Sequence, residues 1–126
     1  MQVKIDTKEK FHAITINESN LAANMTEDLE QCLFPILQKD VKNIVLILKD
    51  TQNIDDAAGE CLVQIQQSFY DSGSSFVICE LTPEVEKSLE TSGLLELMNV
   101  TPTESEAWDI VQMEELEREL LNGPDL

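Results

Sequence analysis

Asn43–Gly59 reads NIVLILKDTQNIDDAAG. Ile44-Val45-Leu46-Ile47-Leu48 is an unbroken apolar run, rich in β-branched residues and bounded by the polar pair Lys49-Asp50. Such a run is a strand buried on both faces, as a central parallel strand must be. A short polar segment follows. Then Ala58, Leu62, Ile65 and Phe69 recur at i, i+4, i+7 and i+11, which predicts a helix with one apolar face. A buried strand, a loop and a helix that opens on Asp55-Asp56-Ala57-Ala58-Gly59 make a βα corner. In open α/β sheets, binding sites lie beyond the carboxyl ends of the strands, at corners of this kind. A helix start there also presents unpaired N–H groups and a partial positive charge.

Upstream, Gln2–Asp6 and Phe11–Asn17 each alternate apolar and polar residues around a polar link, Thr7-Lys8-Glu9-Lys10. This predicts an antiparallel hairpin, with His12 a partly buried strand residue rather than a ligand. Glu18–Asn24 reads as a loop. Asn24 with Glu27 has the spacing of a capping box, which would start a helix through Met25, Leu29, Cys32 or Leu33, and Ile36. Pro35 falls inside that pattern and should kink the helix or end its regular part.

Downstream, Gly73 is placed to end the helix after the corner. Ser75–Leu81 (SFVICEL) is the next strand. Thr82-Pro83 then supplies an N-cap followed by proline at the first helical position, with Val85 and Leu89 facing the sheet and Gly93 closing the helix. Leu95, Leu97 and Val100 fit a turn and a short edge strand. Thr103 with Glu106 is a second capping box, opening a last helix through Ala107, Trp108, Ile110 and Val111. From Met113 the apolar stripe shifts to Met113, Leu116 and Leu120, with Leu121 beside them, and Asn122-Gly123-Pro124 is a stop signal. That stripe either packs back on the domain or forms a seam for a partner helix or a second copy of the chain. The acid-rich flank of Glu114, Glu115, Glu117 and Glu119 suits a basic groove. The order β-β-α-β-α-β-α-(β)-α predicts an α/β fold, a mixed and mostly parallel sheet of 4–5 strands with about four helices packed on it.

Three stretches in this order resemble the STAS domain of anti-sigma-factor antagonists. The first is the corner. There the family carries Asp-Ser-Ser/Ala-Gly at the start of a helix, and a partner kinase phosphorylates the first Ser, or sometimes Thr. Aligned by the glycine, Asp56 falls on the Asp, Ala57 on the phosphorylated residue, Ala58 on the next and Gly59 on the Gly. Ala57 has no hydroxyl, so the phosphate acceptor is missing. The second stretch is Leu21-Ala22-Ala23-Asn24, a small-residue segment running into the first helix beside the corner. The third ends in Leu89-x-x-x-Gly93-Leu94, where family members carry Leu-x-x-x-Gly-Leu. The resemblance covers residues 2–112 and leaves 113–126 as an acidic amphipathic helix extension and tail.

Composition narrows the function. The 126 residues carry 25 acids against 8 bases, a formal net charge of −17. That surface repels phosphate backbones and anionic lipid, so nucleic-acid and membrane binding are not expected. No apolar run nears the roughly 18 residues of a membrane span. The N-terminal segment lacks a signal peptide's apolar stretch, which implies a cytoplasmic protein. Cys32, Cys61 and Cys79 are widely spaced, with no CxxC, and are read as reduced, buried thiols rather than zinc ligands. Gly59, Gly73, Gly93 and Gly123 are isolated, so no glycine-rich loop can cradle a nucleotide. Asp55-Asp56 could in principle hold Mg²⁺, but an Asp at a helix start more commonly caps it: Asp56 is read as that cap, with Asp55 solvated or helping it. A phosphorelay receiver would need strict βα alternation and a Lys after its last strand, whereas Leu81 is followed by Thr82-Pro83.

No catalysis and no cofactor are expected. The resemblance implies a protein–protein regulator docking on an anti-sigma factor or kinase-like ATPase through Asp55–Gly59, with Leu21, Ala22, Ala23 and Asn24 alongside. Without the hydroxyl at Ala57, phosphorylation would not switch it there. The alternatives are an accessory subunit of a larger complex, such as a transporter-associated STAS protein, and a small-anion or nucleotide binder at the same corner.

Overall fold

The computed structural model describes residues 1–121, and the stop read at Asn122–Pro124 lies outside the described residues. Four α-helices and the five strands of one sheet follow in the expected order, and two further short strands pair beside them. β1 (Val3–Thr7) and β2 (His12–Ile16) form the antiparallel hairpin, with Val3 opposite Ile16 and Thr7 opposite His12. β4 (Ile44–Ile47), β6 (Phe76–Cys79) and β7 (Val100–Thr101) add in parallel, giving a five-stranded sheet in the order β1-β2-β4-β6-β7. The fold is therefore the mixed, mostly parallel α/β sheet that the sequence pattern predicts.

The central strands are buried on both faces, and their alternation divides the core in two. Ile14, Ile16, Ile44, Leu46, Leu48, Phe76 and Ile78 face one side. There they meet Leu29 and Leu33 of α1 (Thr26–Leu33), the apolar face of α2 (Asp56–Asp71), and Val85 and Leu89 of α3 (Pro83–Thr91). Ala58, Leu62, Ile65 and Phe69 are all fully buried, so the periodicity that predicted α2 is its core face. Phe11, Ala13, Val45, Ile47, Val77 and Cys79 face the other side, where among the described residues α4 (Glu104–Leu121) alone covers them, through Ala107 and Val111. α4 runs unbroken through Met113 to Leu121.

The stops and starts follow local chemistry. Gly73 and Gly93 take φ of 77° and 79° after α2 and α3, the left-handed conformation that costs glycine least. The Thr82 hydroxyl accepts from the Val85 N–H, and Pro83 occupies the first turn. At α4, the Thr103 hydroxyl accepts from the Glu106 N–H at 3.2 Å and donates to the Glu106 carboxylate at 3.0 Å. Pro35 ends α1 at Leu33, and a 3₁₀ turn over Phe34–Gln38 continues the chain. His12 is buried: its Nε2 donates to the Val41 carbonyl and its Nδ1 shares a hydrogen bond with the Thr7 hydroxyl, each at 2.9 Å.

The start of α1 departs from the expected capping box. Asn24 lies inside a 3₁₀ turn, Ala23–Met25, and α1 begins at Thr26 with no side-chain cap. The segment read as the loop Glu18–Asn24 also contains a short strand, β3 (Asn20–Leu21), paired in parallel with β5 (Asn53–Ile54). The reason for both departures lies across the chain, in the corner itself.

Candidate functional site

The corner is built from two loops lying side by side beyond the carboxyl ends of β2 and β4. They are zipped at every level. Thr51, fully buried, donates its hydroxyl to the Glu18 carbonyl, and its own carbonyl accepts from the Thr82 hydroxyl. The Gln52 and Asn53 N–H groups both donate to the Ser19 carbonyl, and the side chains of Asn53 and Asn20 join at 2.9 Å. Leu21 and Ile54 pair and bury together.

Asp55 closes the zip. Its backbone N–H donates to the Leu21 carbonyl at 3.0 Å. Its Oδ1 accepts from the Ala58 N–H at 2.9 Å, which caps α2. Its Oδ2 accepts from the Ala23 N–H at 2.8 Å, at the head of the 3₁₀ turn that leads into α1. One carboxylate thus holds two helix starts. This corrects the assignment of the cap to Asp56, which is the exposed first residue of α2. It also bears on why Asn24 caps nothing: a residue more than thirty positions away already serves the first N–H of that turn, that of Ala23.

The predicted site residues divide by exposure. Asp55, Asp56, Ala57, Ala23 and Asn24 are exposed, and Ala22 is half-buried. Leu21, Ala58 and Gly59 are buried and present no surface; they shape the corner from beneath. Gly59 has a steric reason. A Cβ there would stand 2.7 Å from Leu94 Cδ1 and 3.1 Å from Leu89 Cδ2. The two leucines of the downstream motif therefore pack against the glycine of the corner motif. Asp56 also borders a shallow groove of about 570 Å³ shared with Ile54, Glu84, Lys87, Ser88 and Thr91.

The geometry limits the chemistry available. Both oxygens of Asp55 already accept N–H groups, so they are committed to structure. Among the described residues no three His, Cys, Asp or Glu side chains are grouped to hold a metal ion. Burial, with smaller contributions from Glu80 and Glu104, pushes the Cys79 thiol up to about 12. Burial also raises the Cys61 and Cys32 thiols. All three cysteines are free, and none is an activated nucleophile. No helix among the described residues is long and apolar enough to cross a membrane.

A profile of the STAS domain matches residues 2–107. The chain belongs to the STAS-domain family. Solved structures share the fold across nearly the whole chain. A putative anti-sigma factor antagonist from Thermotoga maritima is 22% identical, covering 87% of this chain and 94% of its own, with a TM-score of 0.73. A Ser-to-Glu variant of RsbS from Moorella thermoacetica is also 22% identical, covering 94% and 99%, with a TM-score of 0.73. The murine anion transporter Slc26a9 matches at 14% identity and a TM-score of 0.70; 82% of this STAS chain aligns with 18% of the transporter.

Sequence reasoning missed one member of the corner and one role of another. Thr51 lies in a polar stretch with no pattern to mark it. The second role of Asp55 had only one signal, the doubled Asp55-Asp56, which shows that a cap is present but not which residue makes it.

Proposed function

We propose that this STAS domain is a non-catalytic regulator that docks on a protein partner through the exposed part of the corner: Asp55, Asp56 and Ala57 with Ala22, Ala23 and Asn24. The observation that carries the reading is the Asp55 clamp. It fixes the two loops in one arrangement, so the small residues around it form a preformed surface, and a preformed surface loses little entropy on docking. Similarity to anti-sigma-factor antagonists supports a partner of the anti-sigma or kinase-like ATPase type. Phosphorylation would add about −1.5 to −2 charges at such a corner. Ala57 cannot accept a phosphate, so the domain is held in the binding-competent form at that position. The Slc26a9 likeness supports a second reading, an accessory STAS domain of a larger assembly. The small-anion reading is disfavoured, because the Asp55 and Asp56 carboxylates already stand at the start of α2 where an anion would bind.

The test is co-purification from the source cell with wild type and with Ala57→Lys, which places bulk and charge on an exposed position and leaves the core alone. An ATPase of the anti-sigma type retained by wild type and lost from the variant is the expected result. The same partners on both proteins would overturn docking at this corner.

A further inference from the structure

α4 lies along the single-helix face of the sheet and runs back toward the amino ends of the parallel strands. Its inner side is fixed along its length. Ala107 and Val111 are fully buried against the sheet. The Glu114 carboxylate accepts from the Tyr70 hydroxyl at 2.7 Å. Arg118 donates to the Ser75 hydroxyl at 3.1 Å and approaches Asn43 Oδ1 at 3.4 Å. Helical geometry then sets the outer side. At 100° per residue, Met113, Leu116 and Leu120 project within about 40° of the direction opposite Val111. They are 62%, 56% and 76% exposed, and Leu121 beside them is 84% exposed. Turning the stripe inward would break the contacts of Val111, Glu114 and Arg118, so it does not pack back on the domain.

Charge selects the occupant. Glu106, Asp109, Glu117 and Glu119 surround the stripe and are exposed. Among the described residues no acid of α4 is in an ion pair. Arg118, the helix's single cation, is turned inward onto Ser75. A second copy of α4 docked on this face would set unpaired carboxylates against unpaired carboxylates, and an anionic membrane would meet the same repulsion. We propose that the outer face of α4, centred on Met113, Leu116 and Leu120, is a docking site for a basic amphipathic helix of a partner protein. Its apolar residues would sit on the stripe, and its Lys or Arg side chains would pair with Glu106, Asp109, Glu117 and Glu119. This site lies on the opposite side of the sheet from α1, α2 and α3 and is independent of the corner.

The test uses the full chain, a synthetic Leu/Lys peptide with leucines at helical i, i+3, i+4, i+7 spacing, and a Leu/Glu peptide of the same pattern. Binding is read by fluorescence anisotropy, and self-association by sedimentation velocity. Wild type should bind the Leu/Lys peptide and not the Leu/Glu peptide. The combined variant Met113→Gln, Leu116→Gln, Leu120→Gln keeps the charge and the buried side of α4. It should bind about ten-fold more weakly or worse, a loss the size expected for apolar anchors. Ala57→Lys should bind as wild type does. Equal binding by wild type and the glutamine variant would overturn the proposal, since charge alone would then account for it. Self-association of wild type that the glutamine variant abolishes would also overturn it, by making a second copy the occupant.

Discussion

The two faces of the sheet are closed by different means. α1, α2 and α3 cover one face and enclose a large core running from Ile14 to Leu89. A single helix covers the other, and that core is small: Ala107, Val111 and the partly buried Trp108 and Ile110 meet Phe11, Ala13 and four residues of β4 and β6. On the first face every apolar residue of α2's repeating pattern is buried. On the second, α4 buries one stripe and leaves another in solvent. Stability therefore concentrates on the three-helix face, while the one-helix face keeps apolar surface free for a partner.

Truncating one residue in each core separates the two faces most directly. Phe69→Ala, on the three-helix face, should cost about 3–5 kcal/mol, since Phe69 is fully buried and packs on Phe76 with ring centroids 5.3 Å apart. Val111→Ala, on the one-helix face, removes two buried methyl groups and should cost roughly 2 kcal/mol. Urea midpoints of both variants measure the difference. A Val111→Ala loss equal to that of Phe69→Ala would show that the single helix carries as much stability as the other three.

Between these effects and the surface lies the corner. Asp55→Ala removes acceptors from both the Ala58 and Ala23 N–H groups and should cost about 1–2 kcal/mol. Hydrogen exchange should rise at both amides together. Asp55→Asn keeps one carbonyl acceptor and should free only one of the two. If Asp55→Ala exposes Ala58 alone, the link between the two loops does not depend on this carboxylate.

The smallest effect is a pH dependence that reports how dry the one-helix face is. The Cys79 thiol lies on that face and is pushed up to about 12 from an ordinary value of 9.0, first by burial. The folded protein then holds a proton that the unfolded chain releases. Its contribution to stability is complete below pH 9 and falls as pH rises from 9 toward 12. By pH 10 the loss from this group is on the order of 1 kcal/mol. Cys79→Ala should reduce the fall in urea midpoint between pH 8 and pH 10. An unchanged fall, or rapid alkylation of Cys79 in the native protein at pH 8, would show that water reaches the sheet under α4.

Most of the architecture was legible because it is written in local periodicity. The unbroken, β-branched and short run Ile44–Leu48 reads as a strand covered on both sides, and the i, i+4, i+7, i+11 spacing from Ala58 sets one helix face against the core. Gly73, Gly93, Thr82-Pro83 and Thr103-Glu106 act through their immediate neighbours, so they read correctly without knowledge of the rest of the chain. The corner was legible as a place: Asp55–Gly59 and Leu21–Asn24 do come together.

What the tertiary structure decided is what depends on residues distant in sequence. Asp55 rather than Asp56 is the cap, because the pairing of Leu21 with Ile54 places that carboxylate between two helix starts. Asn24 caps nothing, because Asp55 already serves the donor of Ala23. Gly59 is buried because Leu89 and Leu94 lie against it, and Leu21 and Ala58 are buried in the core of the three-helix face. The stripe of Met113, Leu116 and Leu120 is apolar by sequence but exposed by structure. Hydrophobic spacing states that a helix has an apolar side; only the contacts of Val111, Glu114 and Arg118 determine which side meets the sheet.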